Sequence, residues 1–156
     1  MRRIKILLIK ITSSFFFLGY IPFLSGTWAS FAVVLGLGIL KPCFLLYFIL
    51  MSVFITLGFI VSGPAEDIFG VKDAPQIVID EVAGMFLSFM FLPINFKTLF
   101  FGFLLFRILD AVKIFPAYYF EKFKRAKGIM LDDIVAGLYT NCILQVVFRF
   151  ALYRHS

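Results

Sequence analysis

Residues 43–62 carry no charged side chain. A straight helix needs about 20 predominantly apolar residues to cross the hydrocarbon of a bilayer, so this segment alone admits a membrane-spanning helix. Composition then decides between that reading and the core helix of a soluble domain. Apolar residues make up 62% of the 156, Phe alone occupies 23 positions, and only 15% are charged, where soluble domains average about 25%. A soluble fold of this size has too little interior to hide so much apolar surface. Disordered, collagen-like and coiled-coil readings lack the polar or periodic composition they need. The expectation is an all-α fold: a small polytopic helical membrane protein forming one domain over residues 1–156.

Further apolar stretches cover roughly 28–40, 82–96, 97–109 and 134–150, all short for a straight crossing, so some are expected to be tilted or re-entrant. Lys41-Pro42, Gly63-Pro64, Pro93-Ile94-Asn95 and the basic run 121–127 separate them with loop chemistry. Arg2, Arg3, Lys5 and Lys10 precede an interrupted apolar run containing Thr12, Ser13 and Ser14, and no acid occurs before Glu66. A cleaved signal peptide fits this start less well than a retained helix over 2–18 lying along the interface. Basic clusters beside apolar segments favour the cytoplasmic face. Five alternating segments would put 63–81 and 107–133 on that same side, with Lys113, Lys122, Lys124, Arg125 and Lys127, whereas Arg149 and Arg154 would sit opposite, against the rule. The net charge of +6 therefore points to a lipid bilayer as partner rather than nucleic acid. Cys43 and Cys142 lie in apolar runs and read as packing residues. No motif specifies an oligomeric state.

In such a chain the acids are the informative residues. There are nine, and Asp80-Glu81, Asp110 and Asp132-Asp133 sit against apolar helices. An ionised group at membrane depth costs about 2.5–3.5 kcal/mol on insertion scales, so it needs a partner or a function. Ile77-Val78-Ile79-Asp80-Glu81-Val82-Ala83-Gly84 and Leu131-Asp132-Asp133-Ile134-Val135-Ala136-Gly137 share a pattern, an acidic pair followed by Ala-Gly. Helical spacing stacks Asp80 over Gly84 and Asp133 over Gly137, where small residues let a neighbouring helix or a ligand approach. Between the two lies Arg107-Ile108-Leu109-Asp110-Ala111-Val112-Lys113, whose charges are one turn apart and can pair. A single such pair is most simply a salt bridge easing a helix end into the interface. Three carboxylate sites interleaved with Arg and Lys suit Mg²⁺, which takes carboxylate oxygens and completes its shell with water and phosphate; Arg and Lys then clamp the same phosphate. Ser25-Gly26-Thr27 reads as a loop feeding a helix, with Thr27 or Ser25 as the N-cap and free N–H groups able to hold a phosphate.

The inventory also excludes. His155 is the single histidine, which removes two-histidine phosphatase chemistry and makes a zinc site improbable. Neither cysteine has Arg at the offset that a cysteine phosphatase needs, and no Asp-x-Asp or glycine-rich nucleotide loop is present.

The three motifs, in this order and spacing, resemble those of the phosphatidylglycerophosphatase A family of bacterial membrane lipid phosphatases, over about residues 19 to 140. Gly26-Thr27 and Ser30 are similar to that family's Pro-Gly-Thr-x-Gly-Ser loop, with Ser25 and Ala29 replacing Pro and Gly; Ile114 stands where the family has Pro. The resemblance implies a Mg²⁺-dependent hydrolase acting on phosphatidylglycerol phosphate in the bacterial inner (cytoplasmic) membrane, with its active site facing the cytoplasm. On this basis Asp80, Glu81, Asp132 and Asp133 are expected to hold metal. Asp80, Asp110 and Asp133 are expected to be catalytic, and Thr27, Arg107 and Lys113 to bind the substrate phosphate. Attack by water and formation of an aspartyl-phosphate both remain open. Two other classes compete. A phosphotransferase using CDP-activated lipids also places acids around a divalent metal, but its Asp-Gly…Ala-Arg pattern is missing; a non-enzymatic scaffold or cation-conducting protein would use the acids for ion pairing.

Overall fold

The computed structural model describes residues 2–120 and 123–153. Lys122, Arg154 and His155 lie outside them, as does the side chain of Arg149. Among the described residues seven α-helices follow one another: α1 (Arg2–Ser13), α2 (Ser25–Leu40), α3 (Phe44–Phe69), α4 (Ile79–Ser88), α5 (Phe96–Val112), α6 (Ala117–Phe120) and α7 (Ala126–Tyr153). Among the described residues there is no strand.

Helices α2, α3, α4, α5 and α7 alternate in direction between two ends of a bundle. At one end the 41–43 and 89–95 turns meet around Lys41, Pro42, Phe91 and Pro93. At the other end Ser25, Asp73, Asp80, Lys113 and Asp132 come together. Two helices, α3 and the 126–148 part of α7, are long and apolar enough to cross a bilayer. Only 22% of the most apolar window of α3 is buried within the protein, so its apolar faces look outward, which a water-soluble core helix could not afford. Phe44, Leu45, Phe59 and Ile60 on α3 and Val146 and Val147 on α7 are exposed in this way. Apolar surface of this extent suits association with lipid.

Several boundaries differ from the sequence expectation, with α4 ending at Ser88 inside the expected 82–96 stretch, and three others differ for a local reason. The first helix stops at Ser13 rather than continuing to 18. The Ser14 hydroxyl donates to the Lys10 carbonyl at 2.7 Å and accepts from the Phe17 N–H at 3.1 Å, closing the helix end. Phe15, Phe16 and Phe17 then turn the chain through left-handed conformations. At the second boundary, Gly63-Pro64 is no break: α3 continues through Pro64 to Phe69. A proline inside a membrane helix is tolerated when the local backbone adjusts around the lost hydrogen bond, and here the Pro64 ring faces outward. Finally, α7 begins at Ala126, well before the apolar stretch starting at 134, because Ile129 and Met130 already pack in the core. Asp132 and Asp133 are thus inside a helix, not at its N-terminus.

With ten residues, α4 spans about 15 Å, half the hydrocarbon thickness. Its end inside the bundle leaves carbonyls without helical partners, and side chains of other helices satisfy several of them. Tyr47 on α3 donates its hydroxyl to the Phe86 carbonyl. Asn141 on α7 donates its amide to the Ser88 carbonyl at 3.2 Å and the Met90 carbonyl at 2.7 Å. The N-terminal end of α4 is held differently. The Val78 N–H donates to the Ser13 carbonyl at 2.9 Å, tying the start of α4 to the end of α1.

Candidate active site

Helix α4 packs most extensively on α7, and glycines set how close they come. A Cβ on Gly84 would stand 2.6 Å from the Asp133 carbonyl oxygen, and one on Gly137 would collide with the Gly84 carbonyl. Backbone therefore meets backbone at this crossing, as the Ala-Gly pattern one turn beyond each acidic pair anticipates. The result brings Asp80 and Glu81, in the first turn of α4, against Asp133 of α7. One oxygen from each of these three carboxylates lies within 4.8 Å of the others. On the far side of Glu81 is the first turn of α2, where a Cβ on Gly26 would collide with the carboxylate; glycine there lets the acid sit against the helix start.

Around this trio a cleft of about 280 Å³ opens, several times the roughly 30 Å³ share of one liquid water. Asp80, Glu81, Arg107, Asp110, Lys113, Asp132 and Asp133 all line it. Helix α5 supplies Arg107 and Asp110, which pair at 2.9 Å. Lys113, at the left-handed end of α5, reaches Asp132 at 3.4 Å. Asp132 thus faces the lysine, apart from the carboxylate trio, while Asp110 lies beside Asp133. Asp132 also accepts from the Asp133 N–H at 3.2 Å.

The 20–27 segment contributes differently from expectation. Leu24, not Ser25 or Thr27, occupies the cap of α2, and no side chain caps it. The Ser25 hydroxyl donates to the Pro75 carbonyl at 2.7 Å, tying the loop before α2 to the loop before α4. Ser25 and Gly26 line the cleft; Thr27 lies on the neighbouring apolar face with Trp28, Phe31 and Phe103. Asp73, in the loop before α4, also reaches the cleft rim.

The site is electrostatically unbalanced. Asp80 Oδ1 and Glu81 Oε2 are buried with no hydrogen-bond donor, and an unsatisfied buried carboxylate is among the costliest features a fold can retain. Burial, then the neighbouring Glu81 and Asp133 carboxylates, push the Asp80 carboxyl well above its ordinary range. Burial also raises Glu81, with Asp80 hydrogen bonding and Arg107 opposing it. The positive end of the α4 dipole offsets part of this repulsion. A bound divalent cation would offset the rest: three carboxylates around bare acceptor oxygens are a hard-ion donor set.

The sequence matches the phosphatidylglycerophosphatase A family over residues 11–148. The chain belongs to that family. A phosphatidylglycerophosphatase A of Haemophilus influenzae is 32% identical over 123 residues, covering 76% of each chain. One from Escherichia coli is 36% identical over 104 residues, covering 65% of this chain and 60% of its own length. No solved structure matches the fold. Family membership makes this chain a phosphatase of phospholipid metabolism, and all the charged residues of the three motifs line the one cleft. Asn141 is the residue that motif reasoning missed; a lone Asn in an apolar helix was the available signal.

Proposed function

We propose that this chain hydrolyses phosphatidylglycerol phosphate to phosphatidylglycerol and inorganic phosphate with Mg²⁺, as a single domain of the bacterial inner membrane whose acidic end faces the cytoplasm. The observation that carries the reading is the buried trio Asp80, Glu81 and Asp133, with donor-free oxygens on Asp80 and Glu81, sharing one cleft with Arg107 and Lys113. The relatives' names supply the substrate. The basic N-terminal helix, with Arg3 and Lys5 exposed beside Ile4, Leu7 and Leu8, supports the sidedness, since anionic cytoplasmic lipid attracts such a surface.

Asp80, Glu81 and Asp133 would hold Mg²⁺, with Asp132 through water. Bound there, the ion would supply charge neutralisation for the phosphoryl oxygens. Arg107 and Lys113 bind the terminal phosphate; Asp110 and Asp132, ion-paired to them, set their direction before the phosphate arrives. A rim carboxylate, with Asp110 beside Asp133 the best placed, takes the proton of the attacking water; direct attack by Asp would instead leave an aspartyl-phosphate. Thr27, placed on the apolar face, serves the substrate beyond its phosphate.

The test is phosphate release from phosphatidylglycerol phosphate by the purified chain with Mg²⁺ and with chelator. Release that the chelator abolishes is expected. No release under either condition, or CMP release from a CDP-activated lipid, would overturn the reading.

A further inference from the structure

A second cavity adjoins the acidic cleft. It is about 330 Å³, is lined by Leu24, Thr27, Trp28, Phe31 and Phe103, and shares Leu24 with the cleft. On α5, Phe103 lies four and seven residues before Arg107 and Asp110, so one helix stripe carries the ion pair and then the aromatic ring. Along α2, Leu24, Trp28 and Phe31 make the facing stripe at the same spacing. Phe31 meets Phe103 edge-on at 6.2 Å between ring centroids, and Trp28 meets Phe31 at 6.4 Å. The groove therefore begins at the charged cleft and descends about 10 Å along α5 toward the opposite end of the bundle. Trp28 and Phe31 are half exposed, on the outward face of the apolar helix α2, so the groove opens sideways to lipid rather than upward to water.

We propose that this groove is the binding site for the glycerol-proximal part of an acyl chain of the phospholipid substrate. The substrate enters laterally between α2 and α5, past Leu24, with its phosphomonoester in the acidic cleft. This rests on the phosphatase reading above. Continuity decides the occupant. A molecule that fills both compartments must be anionic at one end and apolar within about two helix turns, and a phospholipid phosphomonoester is built that way. Five residues line the groove, and Thr27 is the one polar side chain among them, so its wall offers little to a peptide backbone.

Trp28 is the only tryptophan of the chain, which makes the groove directly observable. The full chain is placed in nanodiscs of phosphatidylcholine with Mg²⁺ and a small fraction of lipid brominated on the upper part of its acyl chains. The probe is a non-hydrolysable phosphonate analogue of phosphatidylglycerol phosphate; brominated phosphatidylglycerol at the same fraction is the comparison. Several-fold stronger quenching of Trp28 by the phosphonate is expected, and Arg107→Ala should remove the excess. Equal quenching by the two lipids assigns the groove to bulk lipid and overturns the proposal. As a second arm, Phe103→Ala should lower the ratio of kcat/KM for the acylated substrate over its deacylated headgroup by about tenfold. An unchanged ratio also overturns it. Phosphate release by the unsubstituted chain separates the two claims: release without preferential quenching removes the groove alone, and preferential quenching without release removes the phosphatase reading while supporting the groove.

Discussion

Helix α4 has two polar ends inside an apolar bundle, and they are built on opposite plans. At its C-terminus, Tyr47 and Asn141 reach in from α3 and α7 and meet the carbonyls of Phe86, Ser88 and Met90. Gln145 adds an amide donor to Asn141 at 2.8 Å. At its N-terminus, one turn of helix carries two acids facing a third, with oxygens that no donor meets. The first end is a set of neutral groups whose hydrogen-bonding capacity is matched within the protein. The second leaves buried carboxylate oxygens without a hydrogen-bond donor. Buried polarity that is satisfied holds a fold together, and buried polarity left open binds.

Substitution should affect the two ends in opposite ways. Asp80→Asn is expected to lower kcat/KM for phosphate release by at least about 10³-fold, while thermal stability in chelator holds steady or rises because a repulsive charge is gone. A fall in stability parallel to activity would make the trio structural. Gly137→Ala attacks the crossing shared by both ends. Its methyl group collides with the Gly84 carbonyl, and a shift of about 1 Å in the carboxylates should cost about 10²-fold in activity, alongside roughly 1–3 kcal/mol of stability from overpacking. Asn141→Leu should do the reverse of Asp80→Asn. Stranding the Ser88 and Met90 carbonyls should destabilise the chain by about 2–3 kcal/mol, measured by denaturation in detergent, with the folded fraction keeping its kcat/KM.

The smallest effect is one of pH. Asp80 has a raised pKa when folded, so the folded chain keeps a proton that the unfolded chain releases. In chelator, this contribution to stability is fully present below the ordinary carboxylate pKa and is lost as pH climbs through the raised folded value. Melting curves against pH should show that decline, and Asp80→Asn should flatten it. A rise over the same window would reverse the assigned sign.

How much was legible in the sequence follows from the same contrast. The acids and the small residues one turn beyond them stand out because lipid makes charge rare and backbone contact demands glycine, so the α4–α7 crossing could be anticipated from residues 77–84 and 131–137. Asn141 could not, since its meaning depends on carbonyls more than fifty residues away in sequence. Gly63-Pro64 looked like a break because loop statistics from water do not carry over to an apolar helix with its proline facing out. Ser25 and Thr27 looked like caps because capping was assigned by residue type; Leu24 takes the cap instead, with Ser25 at the cleft and Thr27 on the neighbouring apolar face.

The glycine crossing has one more consequence. Since the α4 and α7 backbones already touch, the carboxylates they carry cannot move closer, and spreading them apart would unseat both helices. The crossing would be a fixed gauge for any ion held between them. A small cation that demands short, regular ligand distances is served by such rigidity, whereas a larger one such as Ca²⁺, which prefers longer bonds and more ligands, would have to wedge the helices open. Discrimination between the two ions would then reside in a pair of residues that have no side chains at all.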